Sequence, residues 1–302
     1  MSRSASVVTA TVINDRGERV YSPYNPSNKM WGRGDILSIL APYGITHIYD
    51  LDLYKLAAVH KSYGRKNAYE TQTGDRVKLD ECPADCMDLF DDDNEELEFM
   101  GDSILGCIIA TYLMDRYGGA GEGFLTRIKT KLVCNDTLGT LAIKLGFHEW
   151  ICISNHIEQK AGRKHLTVLG SMMEAFIGAM YKDHNSIKHD HPGIPGMKIM
   201  SGFEVCRQFL VNLFEAELDF TDIIRINTNY KDSLLRYYQK TFHQPPRYKE
   251  VNITGPPHDR IFTVAVLDVH GAVFATGTSR NKTEASQLAS KEALSRFGVA
   301  EY

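Results

Sequence analysis

Residues 94–105 of this chain read Asn-Glu-Glu-Leu-Glu-Phe-Met-Gly-Asp-Ser-Ile-Leu and decide the interpretation of the whole sequence. Glu95, Glu98 and Asp102 lie at i, i+3 and i+7, so a helix would carry all three carboxylates on one face. The apolar residues that follow, 104–110, predict that another side of the same helix is buried. Unpaired buried carboxylates are costly. Such a face therefore meets solvent, a basic partner, or a divalent cation with oxygen ligands.

Length and composition are those of an ordinary globular protein. The 302 residues leave room for two domains, and the charged fraction of 24% is typical of folded proteins. No run of about 18 apolar residues occurs, so no membrane span is expected. The N-terminus lacks the apolar core of a signal peptide, and the six cysteines are scattered. We therefore expect an intracellular protein, cytoplasmic or nuclear, with reduced thiols.

Charge is spread unevenly along the chain. The net charge is −4, yet residues 229–302 hold ten Lys/Arg against seven Asp/Glu, a net charge of +3. Residues 81–98 hold nine acidic side chains and neither Lys nor Arg. An acidic chain can still bind nucleic acid, because only the contacting face must be positive.

Several segments carry a family resemblance. Residues 94–103 resemble the signature of ribonuclease III, the endonucleases that cut double-stranded RNA, whose usual form is Asn-Glu-Arg-Leu-Glu-Phe-Leu-Gly-Asp-Ser. Only Glu96 and Met100 depart from that form. Residues 60–63, His-Lys-Ser-Tyr, resemble the end of an early family helix. Residues 170–181 resemble the family's second acidic helix.

The pattern along the chain predicts two domains. Residues 1–34 are interpreted as an N-terminal extension with one short strand near residues 7–12, and 35–220 as an all-helical endonuclease domain. Within that domain, 64–93 is interpreted as an inserted, solvated polar loop. After a linker, 229–298 resemble a double-stranded RNA-binding domain of order α-β-β-β-α. The predicted fold class is therefore mainly α with a C-terminal α+β domain. Its predicted elements are a helix at 230–240, strands at 248–253, 262–269 and 272–277, and a helix at 282–297.

The resemblance implies a metal-dependent site. Hydrolysis of a phosphodiester needs an activated water and a stabilised leaving oxygen, and Mg²⁺ supplies both. By resemblance Glu98 and Asp102 of the first acidic helix and Glu174 of the second hold Mg²⁺, for which Mn²⁺ could substitute, and carry catalysis. Glu95 joins this catalytic set, at a family position that supports RNA contact or the subunit interface more than the metal.

Two positions depart from the family's site. Ser171 stands where the family has an aspartate ligand, and a neutral hydroxyl would reach a metal only through a water. Thr167 stands where eukaryotic members often have a lysine near the scissile phosphate. Lys164 could replace that lysine if its loop bends back.

Three functions stay open at this point. The first is an endoribonuclease, by resemblance a homodimer, that leaves 5′-phosphate and 3′-hydroxyl ends on double-stranded RNA. The second is a non-catalytic binder of double-stranded RNA with the same architecture, which Ser171 and Thr167 favour. The third is an unrelated helical protein with an acidic surface.

RNA recognition by the C-terminal domain is expected to follow the shape of the duplex. The usual second lysine of the last helix is replaced by Thr283, which removes one charge. Residues 122–133 also resemble the family and contribute basic phosphate-contact candidates. The candidates in the C-terminal domain are His258, Arg280, Lys282, Lys291 and Arg236, and those in 122–133 are Arg127, Lys129 and Lys131.

Overall fold

This computed structural model describes residues 6–8, 11–14, 16–190, 192–225, 230–256 and 260–299. The chain divides into two compact units, Met1–Leu218 and Asp219–Tyr302. Helices dominate the first unit, and the second combines helices with a three-stranded sheet. The predicted fold class is therefore confirmed.

The helices of the first unit include both acidic helices, which are the two longest. They are α1 (Arg33–Leu40), α2 (Leu51–Ala57), α3 (Glu95–Arg116), α4 (Glu122–Leu132), α5 (Asn135–Lys144), α6 (Asn155–Gln159), α7 (Leu166–Asn185) and α8 (Gly202–Glu217). Its strands are β1 (Ser6–Val8), β2 (Val12–Ile13), β3 (Arg19–Tyr21), β4 (Tyr69–Thr71), β5 (Arg76–Leu79), β6 (Lys188–Asp190) and β7 (Lys198–Met200).

Helix α3 begins where the sequence predicts, at the acidic residues. Three glutamates occupy its first turn, where negative charge is stabilised by the helix dipole. The side chain of Asn94 does not cap the helix. Its amide donates to the Ala57 carbonyl at 3.2 Å, and its backbone N–H donates to the Val59 carbonyl at 2.9 Å. These bonds tie the start of α3 to the end of α2.

Length and composition alone would allow α3 to cross a membrane, with a mean hydropathy of 1.4 over its most apolar window. A core helix passes the same test. Residues such as Leu105, Ile108 and Ile109 of α3 are fully buried within the first unit. Packing inside the domain thus explains these buried apolar residues, while the most apolar window of α3 is 33% buried overall.

Helix α7 is the centre of the first unit. The ring of Phe176 contacts the rings of Trp31, Tyr54, Phe147 and Phe209 at centroid distances between 4.9 and 6.0 Å. Aromatic pairs at such distances add to the burial of apolar area. This cluster holds α7 in place two residues beyond Glu174.

The predicted extension and the predicted loop differ from expectation. Strands from both form one five-stranded sheet in the order β1-β4-β5-β3-β2, in which Ser6 pairs with Tyr69 and Val20 with Lys78. Trp31 is only 1% exposed, so the extension also supplies part of the core. The extension has three short strands, two of them at the ends of the predicted strand near residues 7–12, and the segment 64–93, predicted as a solvated loop, has two. Each segment has strands too short to be recognised alone, and they are stabilised by pairing with each other.

The acidic insertion is also largely paired with basic side chains. Lys66 Nζ lies 2.6 Å from Asp93 Oδ2, and their side chains are 19% and 9% exposed. Arg65 lies 2.8 Å from Asp88. The nine acidic residues therefore do not form a uniformly unpaired negative loop.

Two further segments have more structure than predicted. The sequence of 184–202, with Pro192 and Pro195, predicts a loop, whereas the structure has the antiparallel hairpin β6–β7 within it. The linker 219–229 begins with a short helix, α9 (Phe220–Arg225).

The second unit has the predicted order of elements. It contains α9, then α10 (Tyr230–Phe242), β8 (Arg247–Thr254), β9 (Ile261–Leu267), β10 (Val273–Ser279) and α11 (Lys282–Arg296). The three strands form an antiparallel sheet with β9 in the middle. A Cβ on Gly277 would lie 2.2 Å from the Ala289 nitrogen, so this glycine allows β10 to pack directly on α11.

Candidate active site

Two glycines bring the acidic helices together. A Cβ on Gly101 of α3 would lie 1.7 Å from the Glu174 carbonyl oxygen of α7. A Cβ on Gly178 of α7 would lie 2.1 Å from the Leu97 carbonyl oxygen of α3. Backbones can approach this closely only where side chains are absent. The close crossing places residues on either side of Gly101 beside Glu174.

A pocket of about 520 Å³ lies along this crossing. All four predicted acidic residues line it, together with the Ser171 and Thr167 positions where the sequence departs from the family. The lining residues are His60, Lys61, Asn94, Glu95, Glu98, Phe99, Asp102, Thr167, Val168, Ser171 and Glu174. The structure thus brings together residues from α3, α7 and the turn after α2.

The carboxylates of this pocket affect each other's charge. Burial is the largest cause, followed by the negative charges of Asp102 and then Glu98, and together they raise the pKa of Glu174 to about 7. Asp102 is exposed and Glu98 half-buried. A carboxyl poised between its charged and neutral forms near neutral pH is typical of functional sites. A bound cation would favour the charged form.

The donor atoms suit a hard divalent cation. Within the described ranges, no three His, Cys, Asp or Glu side chains converge closely enough to form a metal cage by themselves. Mg²⁺ does not require such a cage, because it usually keeps several waters and takes one or two carboxylates plus substrate phosphates. Carboxylates from two helices and the Ser171 hydroxyl, all facing one open pocket, fit that mode of binding.

His60 and Lys61 line the pocket, although the sequence alone assigns no role to either. The Ser62 backbone N–H donates to His60 Nδ1 at 3.2 Å, so a neutral His60 ring carries its proton on Nε2. Burial, followed by the charge of Lys61, lowers the pKa of His60 to about 4. Lys61 Nζ lies 3.1 Å from Glu95 Oε1. The resemblance of residues 60–63 to the end of an early family helix was the sequence feature that could have indicated these two residues.

The other basic candidates of the first unit are not among the residues that line the pocket. Lys164 is exposed and is absent from the described lining of the pocket, so the loop before α7 does not place it there. Arg127 of α4 lies over the Phe124 ring at 5.5 Å. Lys129, also on α4, lies against α3, because its Nζ is 3.6 Å from where a Cβ on Gly106 would be. Lys131, the third basic candidate of α4, is half-buried, and burial followed by the charge of Arg127 lowers its pKa.

The basic candidates of the second unit are exposed, and several already pair within it. Lys282 Nζ lies 2.8 Å from Glu250 Oε2 of β8, and Lys291 lies 5.3 Å over the Tyr230 ring. Nine residues of helix at 1.5 Å each separate these two lysines by about 14 Å along α11. Arg236 pairs with Asp232 at 2.8 Å, and Arg280 is exposed just before α11. The predicted contact His258 lies outside the described residues.

Comparison with known proteins identifies the family. The profile of the Ribonuclease III domain matches residues 95–185, and that of the double-stranded RNA binding motif matches 230–296. The probable ribonuclease 3 of Acanthamoeba polyphaga mimivirus is 31% identical over 96% of this chain, which spans about half (49%) of that relative's length. Ribonuclease 3 of a Marinomonas species is 30% identical over 82% of this chain and 90% of its own length.

The nuclease domain of Campylobacter jejuni ribonuclease III is a solved structure that overlays on this chain with a TM-score of 0.45 at 20% identity. The overlay covers 63% of this chain and 99% of that domain, and no conclusion follows from so loose an overlay. The signature, the matched domains and the relatives agree, and the chain belongs to the ribonuclease III family of endoribonucleases.

Proposed function

We propose that this chain is a Mg²⁺-dependent endoribonuclease that cuts double-stranded RNA as a homodimer and leaves 5′-phosphate and 3′-hydroxyl ends. One observation carries the proposal. The close crossing of α3 and α7 lets Glu98, Asp102 and Glu174 line one pocket, in which the pKa of Glu174 is raised to about 7. A helix face with no use for a cation would have little reason to gather these charges.

The chain's own residues divide the work of the site. Glu98, Asp102 and Glu174 would hold the metal, and Glu95 would act at the rim with its partner Lys61. When bound, Mg²⁺ supplies an activated water and stabilises the leaving oxygen. Glu174 must be ionised to act as a ligand, so metal binding is expected to strengthen as pH rises through about 7.

Ser171 sets the strength of this site. Its hydroxyl lines the pocket where an additional carboxylate would otherwise add negative charge. The site therefore carries one charge less, and we expect it to need more Mg²⁺, or Mn²⁺, for full occupancy. The Ser171 hydroxyl can still hold a water that a metal shares.

An exposed apolar stripe on α3 supports the homodimer. Phe99 and Met114 are 75% and 63% exposed, and Cys107 between them is exposed as well. Large apolar side chains exposed on one helix are typical of protein interaction sites. Phe99 also lines the pocket, so a second copy packed on this stripe would border the site and could align two cuts on opposite strands.

The second unit would deliver the duplex. Its order of elements and exposed basic residues suit recognition of A-form RNA by shape, through phosphates and 2′-hydroxyls over about 16 base pairs. Because Lys282 is paired with Glu250, its contribution to phosphate binding must compete with that carboxylate.

The test is cleavage of a long RNA duplex by the purified chain across a Mg²⁺ and a Mn²⁺ titration. Single-stranded RNA of the same sequence is the substrate control, and Asp102→Asn is the protein control. Duplex-specific cuts with ligatable 5′-phosphates, lost in Asp102→Asn, are expected. Duplex binding without cleavage at any metal concentration would instead establish the non-catalytic binder. Ser171→Asp should lower the Mg²⁺ concentration that gives half-maximal rate.

A further inference from the structure

The geometry points to Lys61 as the residue that positions an RNA phosphate in the carboxylate pocket. This inference rests on the proposed function and assigns a role to a residue outside the metal ligands. Lys61 follows α2, far in sequence from both acidic helices, and only the fold brings it to the pocket.

Charge balance in the pocket is the first argument. Glu95, Glu98, Asp102 and Glu174 all line the space into which a phosphodiester, itself an anion, must enter. Among the described residues of this lining, Lys61 alone carries a positive charge at neutral pH, since the pKa of His60 is lowered to about 4. A metal neutralises part of the negative charge, and a neighbouring ammonium further lowers the repulsion felt by the phosphate.

The existing partner of Lys61 is easily exchanged. The Lys61–Glu95 pair is 3.1 Å long, and the two side chains are 61% and 53% exposed. An exposed ion pair of this kind contributes little to stability. Lys66, five residues on, shows the contrast, because its pair with Asp93 is mostly buried and serves the fold. Lys61 can therefore leave or share Glu95 when a phosphate arrives.

The backbone around Lys61 is held firmly. The His60 N–H donates to the Cys152 carbonyl at 3.0 Å, and the Tyr63 N–H donates to the His60 carbonyl at 2.8 Å. The Tyr63 ring is fully buried. A residue on a rigid turn loses less conformational entropy when it binds, as a positioning residue requires.

A purely structural role makes a different prediction. If Lys61 served only to orient Glu95, its removal would slow the reaction equally on every RNA. If it contacts a phosphate, its effect depends on that one phosphate. A cycle that combines Lys61→Met with neutral methylphosphonate linkages, placed one at a time beside the cut, separates the two roles.

Lys61→Met should reduce single-turnover kcat/KM by about tenfold to a hundredfold, the loss expected for one charged hydrogen bond. The wild-type chain should lose a similar factor in kcat/KM on a duplex whose methylphosphonate replaces the contacted phosphate. On that same duplex, Lys61→Met should be little slower than it is on the unmodified duplex. Lys61→Arg should keep most of the rate. If the loss from Lys61→Met and the loss from the methylphosphonate multiplied at every linkage tested, the inference would be overturned.

Lys29→Met is the matched control. Lys29 pairs with Glu149 at 3.2 Å, with side chains 51% and 56% exposed, outside the pocket lining. It should keep the wild-type rate; a loss equal to that of Lys61→Met would count against a specific contact. The same cycle run on duplex affinity measures the contact even if the chain does not cleave, so failure of the proposed function and failure of this inference are distinguishable.

Discussion

Gly101→Ala tests whether the crossing of α3 and α7 creates the site. The added Cβ would lie 1.7 Å from the Glu174 carbonyl oxygen, whereas real contacts of this kind are essentially never below 3.0 Å. The two backbones must therefore separate locally by at least the difference, 1.3 Å. The obstacle is helix backbone, which cannot rotate away as a side chain would.

Both stability and activity should suffer from this separation. Overpacking of a tight core costs about 1–3 kcal/mol, occasionally more. A misplacement of about 1 Å at a catalytic centre can cost about 100-fold in rate. We expect Gly101→Ala to lower the free energy of unfolding by at least about 2 kcal/mol and to slow duplex cleavage by about 100-fold.

The assay has a convenient probe and a matched control. Both tryptophans of the chain, Trp31 and Trp150, belong to the first unit, so fluorescence during denaturation reports its unfolding. Gly106→Ala makes the same change on the same helix, where the nearest atom would be Lys129 Nζ at an ordinary 3.6 Å. It should be neutral or stabilising by up to about 1 kcal/mol through helix propensity. If Gly101→Ala behaved like Gly106→Ala in stability and rate, the crossing would not control the site.

Three further predictions concern charge, RNA binding and assembly. Glu174→Gln, studied with a metal chelator, should raise the Tm at pH 8 and change it little at pH 5. Because the pKa of Glu174 is raised, the folded state binds more protons than the unfolded state, and wild-type stability falls as pH rises from 4.5 to about 7. An equal change in Tm at both pH values would contradict this. Lys282→Ala should weaken duplex binding for all sequences and, in a filter-binding titration, reduce the slope of log affinity against log salt concentration by about 0.9. Glu250→Gln should tighten binding. An unchanged affinity of Lys282→Ala at low salt would exclude this contact. Phe99→Asp should convert a dimer to a monomer in sedimentation experiments, and a variant that stays dimeric would place the interface elsewhere.

Much of this protein could be predicted from local patterns. The spacing of Glu95, Glu98 and Asp102 is periodic, and periodicity survives in sequence because a helix repeats every 3.6 residues. The α-β-β-β-α order of the second domain follows from alternation of side chains in its strands, and the structure has it in that order. The sequence predicts one strand in the extension and none in the insertion, whereas the structure has five, because each has two to four residues and the sheet depends on pairing between the two segments.

The sequence by itself determined the family, the helices that carry the acids, and the domain order, since these depend on residue types at short spacing. Only the tertiary structure decided what the acids do together. The approach of α3 to α7 at Gly101, the raised pKa of Glu174 and the arrival of Lys61 in the pocket all depend on distances between segments far apart in the chain. Electrostatic interaction and burial depend on those distances, and no local pattern records them.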